Sequence, residues 1–200
     1  MNGLTFRENE AYRRRQRVFD VCIALIALTI AAPVLLLAIL AIRLEDGGPV
    51  LFRQQRVGRF GKLFTIYKLR TMRVSECGDA LKPTGSRDNR ITRGGRILRK
   101  LSIDELPQLF NVLRGDMAIV GPRPEMPFVV ARYKSWQHCR HLAKPGITGL
   151  WQTTCRSQIP LHEPAATQID LEYVRTASLA LDGKLVLRTF SMLLSPRGAY

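Results

Sequence analysis

Two adjacent carboxylates, Asp104 and Glu105, stand directly before an apolar helical pattern, and Arg123 follows them on a loop between two prolines. An ionised aspartate can attack phosphorus, and an ionised glutamate can hold Mg²⁺. The flanking prolines restrict the backbone at Arg123, so bringing its guanidinium onto a phosphate costs less entropy. The segment Ser102–Glu125 therefore predicts phosphate chemistry, with a carboxylate as nucleophile or metal ligand beside a fixed cation.

The same carboxylates have a purely structural interpretation. Ser102 and Glu105 have the spacing of a capping box, in which the serine caps a helix and the glutamate reaches back. Pro107 disfavours helical angles at the preceding residue, so the helix can instead begin near Pro107. In both cases Asp104 and Glu105 lie at a helix N-terminus, where backbone N–H groups favour ionised carboxylates. Neighbours on a helix point about 100° apart, so we expect different roles for the two.

Short elements joined by tight turns are predicted around this pair. Apolar residues recur at helical spacing from Leu106 to Leu113, and Gly115 ends that helix. Lys68 falls on a predicted strand, where a lysine side chain usually points into solvent. The predicted elements outside this helix are strands at Val50–Phe52 and Leu63–Leu69, a buried strand or extended segment at Met117–Val120, a loop at Ser75–Arg90, a helix or turn at Ile97–Leu101 and a helix at Pro164–Leu181.

An apolar run, Val21–Ile42, is long enough as a helix to cross a hydrocarbon core at about 1.5 Å per residue. Because arginine excess marks the cytoplasmic side, arginines on both flanks favour a helix that dips in and returns. A spanning anchor with a kink is the alternative. Pro33 supplies the bend, since it removes a helix hydrogen bond. The arginines are Arg13, Arg14, Arg15 and Arg17 before the run and Arg43, Arg53, Arg56 and Arg59 after it.

Polar side chains near this run have predicted partners. We expect the Thr29 hydroxyl to satisfy the carbonyl that Pro33 frees. We expect Asp20 to pair with an arginine such as Arg17. Towards the C-terminus, Lys184–Leu194 mixes apolar and basic residues in a pattern typical of a helix in the membrane interface.

The bulk composition limits the class of protein. With 31 Lys+Arg against 16 Asp+Glu the net charge is +15, which attracts nucleic acid, anionic lipid or nucleotide diphosphates. There is no recognisable nucleic-acid reading helix or aromatic RNA-binding strand. The four cysteines show no paired spacing and indicate reduced thiols in the cytoplasm. A membrane-tethered basic module for nucleic acid or anionic lipid remains the alternative to an enzyme.

Several segments together resemble the bacterial sugar transferase family, the monotopic phosphoglycosyl transferases in their minimal form. They follow the family order: a basic N-terminus, a proline-bent apolar helix, and then four motifs. The longest, LRKLSIDELPQLFNVLRGDMAIVGPRPE, is highly specific. The four motifs are Gly48–Met72, Leu98–Glu125, Lys144–Gln152 and Asp170–Phe190.

The resemblance implies a reaction and its participants. A sugar-1-phosphate would pass from a UDP-sugar to polyprenol (undecaprenyl) phosphate, with release of UMP, as the first membrane step of a glycoconjugate or exopolysaccharide pathway. Asp104 would be the nucleophile that forms a phosphosugar–aspartate intermediate, and Glu105 would coordinate Mg²⁺. The implied phosphate-binding residues are Lys68, Arg99 and Arg123, and the implied nucleotide contact is Arg156.

These expectations combine into one architecture. The predicted fold is α+β and helix-rich, with a re-entrant membrane helix broken at Pro33, a compact cytoplasmic catalytic domain and interfacial amphipathic helices. Residues 1–44 would form the membrane unit, and residues 45–200 would form the phosphoglycosyl transferase domain. The expected location is the cytoplasmic face of the bacterial inner membrane, with membrane lipids but no nucleic acid as partners. The sugar and a homo-oligomeric state are left open.

Overall fold

The computed structural model describes residues 10–73, 88–155, 158–161 and 163–194. Their order confirms the predicted helix-rich α+β fold. The helices are α1 (Glu10–Asp46), α2 (Arg93–Lys100), α3 (Gln108–Arg114), α4 (Pro127–Val130), α5 (Leu150–Thr154), α6 (Pro164–Thr176) and α7 (Leu179–Leu194), with 3₁₀ turns at Arg59–Gly61, Ile103–Glu105 and Ser135–Leu142. The strands are β1 (Leu51–Val57), β2 (Leu63–Leu69), β3 (Ala118–Val120) and β4 (Gly146–Thr148).

Helix α1 contains the whole apolar run and is the one described helix long and apolar enough to cross a membrane. Only 11% of its most apolar window is buried by the protein, so it is not an ordinary core helix. Pro33 lies inside α1, which continues on both sides of it. The prediction for Thr29 was wrong, because its hydroxyl donates to the Leu25 carbonyl at 2.9 Å. That is the usual bond of a threonine within a helix.

The N-terminal part of α1 is fixed to the rest of the chain by buried polar contacts. The Asp20 carboxylate accepts from the Ile119 N–H at 2.8 Å, and the Arg17 guanidinium donates to the Val112 and Leu113 carbonyls. Arg17 acts on Asp20 through its charge but not through a direct ion pair, so the predicted direct pair was wrong. The last carbonyls of a helix have no intrahelical donor and attract a cation, so Arg17 binds the end of α3 instead.

The C-terminal part of α1 contacts the same body of the protein. The Glu45 carboxylate accepts from the Arg93 N–H at 2.7 Å, at the first turn of α2. Ala38 and Ile42 are buried against Leu69 and Leu98. Strand β2 joins the two regions, because Leu69 packs here while its Ile66 lies in the larger core with Ala24 of α1.

Two small sheets support the loops that bear the predicted site. Strands β1 and β2 form an antiparallel hairpin with Leu51 opposite Leu69. Strand β1 continues to Val57, beyond its predicted end at Phe52, because its polar residues also pair with β2. Their side chains are largely exposed, so no apolar alternation in the sequence marks them as part of a strand. Strands β3 and β4 pair in parallel, and all three residues of β3 are buried. The predicted helix Pro164–Leu181 is two helices, α6 and α7.

Candidate active site

Glu105 is the centre of an ion-paired group drawn from three elements. Its Oε1 lies 2.8 Å from Lys68 Nζ on β2 and 2.5 Å from Arg123 Nη2 on the loop after β3. Arg123 Nη1 also donates to Oε2 at 3.3 Å. The three side chains are only 18–22% exposed, so their charges are partly shielded from water. We call Lys68, Glu105 and Arg123 the charge clamp.

The clamp excludes the capping-box interpretation of Glu105. Ser102 adopts a left-handed backbone conformation, with φ of 55°, and makes no side-chain capping bond. The Glu105 carboxylate points to the two cations instead of back to the Ser102 N–H. Helix α3 begins after Pro107, as the alternative prediction had it. The structure therefore leaves the two carboxylates on a 3₁₀ turn before α3, with Glu105 engaged in tertiary pairing.

Asp104 is buried beside the clamp, with 8% of its surface exposed. Its neighbour Ile103 packs against the cluster that Leu69 and Leu98 form with Ala38 and Ile42 of α1. Burial raises the pKa of Asp104, although Lys68 and other nearby cations oppose the shift. The expectation that both carboxylates favour ionisation was therefore wrong for Asp104. Desolvation outweighs the favourable charges there and leaves a more basic, less hydrated carboxylate.

The pKa of Glu105, the next residue in the chain, shifts in the opposite direction. Burial alone would raise its pKa, but Arg123 and Lys68 outweigh burial and hold the pKa well below its ordinary value. The neighbouring carboxylates thus have pKa values pushed in opposite directions. This separation agrees with the expectation that the two residues take different roles.

The raised pKa of Asp104 predicts a stability change in the variant Asp104→Asn. Because the folded pKa of Asp104 is raised, stability falls as the pH rises through the ordinary carboxyl value of 3.8, and the loss is complete above the folded pKa. We expect Asp104→Asn to be more stable than the parent at neutral pH, by about 1 kcal/mol. The difference should vanish in acid, where Asp104 is protonated in both folded and unfolded states. Thermal unfolding across pH measures this, with Asp116→Asn as the matched control. A less stable Asp104→Asn at neutral pH would contradict it.

Arg99 approaches Asp104 from helix α2. Its Nε donates to the Thr71 hydroxyl at 2.8 Å, and its charge lowers the pKa of Asp104 against the larger effect of burial. The close approach of α2 requires Gly95, because a Cβ there would lie 2.2 Å from the Thr71 carbonyl oxygen. The side chain of Thr92 caps the helix by accepting from the Gly95 N–H at 2.9 Å. The predicted phosphate-binding residues Lys68, Arg99 and Arg123 thus all act on the same carboxylate.

The loop that carries Arg123 is fixed by backbone pairing and by a buried arginine. The Gly121 N–H donates to the Thr148 carbonyl at 2.9 Å, and a Cβ at Gly121 would lie 2.2 Å from the Lys144 carbonyl oxygen. Arg140 Nη2 donates to the Arg123 carbonyl at 2.8 Å. Arg140 is 1% exposed and forms an ion pair with Asp170, which is equally buried. This pair positions the backbone of Arg123.

Arg140 and Asp170 were missed by sequence reasoning. They are 30 positions apart, and neither stands in a local pattern that distinguishes it from a surface charge. Burial raises the pKa of Asp170 to about 6, although Arg140 opposes the shift. Arg156, the predicted nucleotide contact, lies outside the described residues.

The two carboxylates offer a donor set for the predicted Mg²⁺. Mg²⁺ in proteins takes one or two carboxylates together with substrate phosphates and waters. Glu105 Oε2 accepts only the 3.3 Å bond from Arg123 among the bonds described, so it keeps acceptor capacity for such an ion. The described residues contain no group of three or more His, Cys, Asp or Glu side chains that could hold a metal without substrate. The donor set fits an ion shared with a phosphate ligand.

The fold and site define an α+β protein with a long apolar helix and a partly buried group of cations around two adjacent carboxylates. The sequence profile described as bacterial sugar transferase matches residues 11–196. The chain belongs to the bacterial sugar transferase family. This confirms the resemblance seen in the motifs and, with the names of the relatives, the expected enzyme class, a phosphoglycosyl transferase.

Three relatives are named for different sugars. The UDP-glucose:undecaprenyl-phosphate glucose-1-phosphate transferase of Caulobacter vibrioides is 48% identical over 93% of this chain and 72% of its own length. The undecaprenyl-phosphate galactose phosphotransferase of Salmonella typhimurium is 38% identical over 92% of this chain and 41% of its own. An N-acetylgalactosaminephosphotransferase of Aeromonas hydrophila is 37% identical over 92% and 44%. The chain thus spans less than half of the latter two proteins.

Proposed function

We propose that this protein transfers a sugar-1-phosphate from a UDP-sugar to undecaprenyl phosphate at the cytoplasmic face of the bacterial inner membrane. The observation that carries the proposal is Asp104, buried beside the clamp of Lys68, Glu105 and Arg123. The clamp supplies positive charge where a diphosphate must be held. The long apolar helix supports a location near a lipid surface, where a dissolved donor and a lipid acceptor can meet.

The chemistry proceeds by two displacements at one phosphorus. A carboxylate oxygen of Asp104 attacks the phosphorus that bears the sugar, and the bond from that phosphorus to the bridging oxygen breaks to release UMP. A phosphate oxygen of undecaprenyl phosphate then attacks the same phosphorus. The bond to Asp104 breaks, which restores the carboxylate and gives undecaprenyl-diphospho-sugar. The desolvated, more basic carboxylate of Asp104 suits the role of nucleophile.

The remaining charged groups stabilise the negative charge that develops during transfer. Lys68 and Arg123 transfer part of their pairing from Glu105 to the diphosphate, and Arg99 on α2 adds a third positive charge near Asp104. Glu105 would hold Mg²⁺, which when bound spreads the charge of the diphosphate. The Arg140–Asp170 pair keeps Arg123 in place throughout.

The membrane unit in this proposal is a re-entrant helix bent at Pro33. Both parts of α1 bond to the same body, through Asp20 at one side and Glu45 at the other. Between these contacts Ile30, Leu36 and Leu37 are 66–72% exposed and face lipid. A spanning helix would put Asp20 and Glu45 on opposite sides of the membrane, which one compact domain could not contact. These contacts support residues 1–44 as the membrane unit of a catalytic domain formed by 45–200.

Helix α7 supplies an interfacial surface next to this unit. Its Leu185 is buried in the core that contains Ala24 of α1, while Leu187 and Phe190 are exposed by 72% and 57%. The exposed apolar residues alternate with Lys184 and Arg188. This arrangement suits a helix that lies at the boundary between headgroups and acyl chains.

Cysteine labelling tests the topology. In a variant without its native cysteines, single cysteines at Arg15 and at Leu44, both exposed, should be labelled by an impermeant maleimide only after spheroplasts are lysed. The cysteine-free variant is the control. Labelling of either position from outside intact spheroplasts would show that α1 spans the membrane.

The reaction itself is tested by release of UMP. The purified protein, with undecaprenyl phosphate and Mg²⁺ present, is given UDP-glucose, UDP-galactose and UDP-N-acetylhexosamines in turn. We expect UMP release with at least one of these donors, together with a lipid-linked diphospho-sugar. Release of UDP in place of UMP would show transfer of the sugar without its phosphate and would overturn the proposal.

A further inference from the structure

Arg56 on β1 is a further cation beside the charge clamp, and the chemistry described above does not use it. In the hairpin, Arg56 stands opposite Phe64, and Phe52 stands opposite Lys68. Directly paired residues share one face of a sheet, and so do alternate residues along a strand. Arg56 therefore projects from the same face of the hairpin as the lysine of the clamp.

The loop that carries Arg123 is bonded to this end of β1. The Val57 N–H donates to the Glu125 carbonyl at 3.0 Å, and Arg123 is only two residues before Glu125. Three charges act on the guanidinium of Arg56, those of Glu125, Arg123 and Glu105. The pairing and the charges together put Arg56 next to the clamp, on the side of β1.

The guanidinium of Arg56 has an unused hydrogen-bond donor. Its Nη1 is buried and has no hydrogen-bond partner within the part of the chain that the structure describes. Burial lowers the pKa of Arg56 to about 10 and the charge of Glu125 opposes the shift, so the group is cationic at neutral pH. Glu125 thus balances part of this charge without bonding Nη1. A buried donor left unpaired is unfavourable, and a ligand oxygen at Nη1 would satisfy it.

The position of Arg56 relative to Asp104 indicates which phosphate it can bind. Along β1, Arg56 is about 13 Å from the residue that pairs with Lys68. Lys68 and Arg123 act on the charge of Asp104, whereas the site carboxylate that acts on Arg56 is Glu105. Arg56 therefore lies beyond the clamp as seen from Asp104. In the proposed reaction the sugar-bearing phosphorus is at Asp104, so a group beyond the clamp meets the other phosphate of the donor.

We infer that Arg56 binds the phosphate that leaves with UMP. This assignment rests on the proposed function, which identifies that phosphate. When Arg123 turns from Glu105 towards the diphosphate, Arg56 Nη1 donates to an oxygen of the outer phosphate. As the bond from the sugar-bearing phosphorus to the bridging oxygen breaks, that oxygen stays on UMP with the electron pair, and Arg56 stabilises the added negative charge. Arg56 takes no part in the second displacement, because UMP has already left.

Nucleotide binding tests this contact without turnover. The full chain in lipid discs, with Mg²⁺ present, is titrated by calorimetry with UMP and with uridine, which lacks the phosphate. Arg56→Gln should weaken UMP binding at least about tenfold, because it removes a hydrogen bond to a charged group, and should leave uridine binding within about twofold. Arg53→Gln is the matched control, since Arg53 is exposed on the opposite face of β1. It should change both affinities by less than about twofold.

The two displacements give a second readout. Arg56→Gln should slow formation of the sugar-phosphate adduct on Asp104 at least about tenfold. Once the adduct has formed and free nucleotide is removed, its transfer to undecaprenyl phosphate should proceed at the rate of the parent. A structural role for Arg56 would instead slow both steps. Arg56→Lys keeps the charge but not the guanidinium fork, so it should weaken UMP binding measurably, yet less than Arg56→Gln.

Parent-like UMP binding by Arg56→Gln would overturn the inference, and so would an equal loss of UMP and uridine binding or an equal slowing of both displacements. Should Arg56→Gln fail to fold, Arg56→Lys serves in its place, and UMP binding like that of the parent would then overturn the inference. Failure of the proposed function has a different signature, because the parent itself would release no UMP from any donor. The comparison of UMP with uridine would still test Arg56 as a phosphate ligand.

Discussion

Asp104→Asn is expected to reduce UMP release by at least about 10³-fold, because an amide cannot replace a carboxylate as nucleophile. The variant keeps the size of the side chain and removes a charge whose burial is unfavourable. It should therefore fold at least as well as the parent, so that loss of activity cannot be attributed to unfolding. The measurement is kcat/KM for the best UDP-sugar donor.

Asp116→Asn is the matched control for this loss. Asp116 lies at the other end of α3 and forms a surface ion pair with Arg114. We expect its kcat/KM to stay within about twofold of the parent, the size of effect usual for surface pairs. Turnover by Asp104→Asn at a rate near that of this control would remove Asp104 from the mechanism.

Glu105→Gln is expected to lose both stability and activity. Lys68 and Arg123 would keep their charges in a partly shielded place without the carboxylate that both contact. Breaking such a pair costs on the order of 2–4 kcal/mol. Activity should fall about 10²-fold, because the misplaced cations no longer meet the diphosphate and the ligand proposed for Mg²⁺ is gone.

The pH dependence of the stability loss identifies its cause. Because the folded pKa of Glu105 is held well below its ordinary value, the stability that its charge contributes is present above about pH 4.5, the ordinary value. That contribution is lost as the pH falls through the folded pKa, so parent and Glu105→Gln should converge only in acid. Glu172→Gln, at an exposed position of α6, is the control. Equal stability of Glu105→Gln and the parent at neutral pH would contradict the charge clamp.

Much of the local structure could be predicted because its causes are local. The apolar spacing before Gly115 predicted helix α3, and the glycine ends it with φ of 90° as expected for a residue without a Cβ. Met117–Val120 predicted the buried strand β3. The prediction ended strand β1 too early, because its residues are half-exposed and polar. The extent of the strand depends on pairing with β2, which a local sequence pattern does not contain.

The candidate site shows the same division between local and tertiary causes. Sequence patterns indicated Asp104, Glu105 and Arg123, because adjacent carboxylates and a proline-flanked arginine are visible in one segment. The clamp itself was not predictable from the pattern, since Lys68 is 37 positions from Glu105 and looked like a solvated strand residue. The capping box was wrong because two tertiary cations compete successfully for Glu105 against one backbone N–H.

The covalent intermediate on Asp104 is the central claim, and one measurement tests it most directly. The protein is incubated with its UDP-sugar donor without lipid acceptor, quenched and digested, and the peptide that contains Asp104 is examined by mass spectrometry. We predict an increase equal to one sugar-phosphate on Asp104, which disappears when undecaprenyl phosphate is added before the quench. Product that forms only when donor and acceptor are both present, with no modified peptide at any time, would contradict the account.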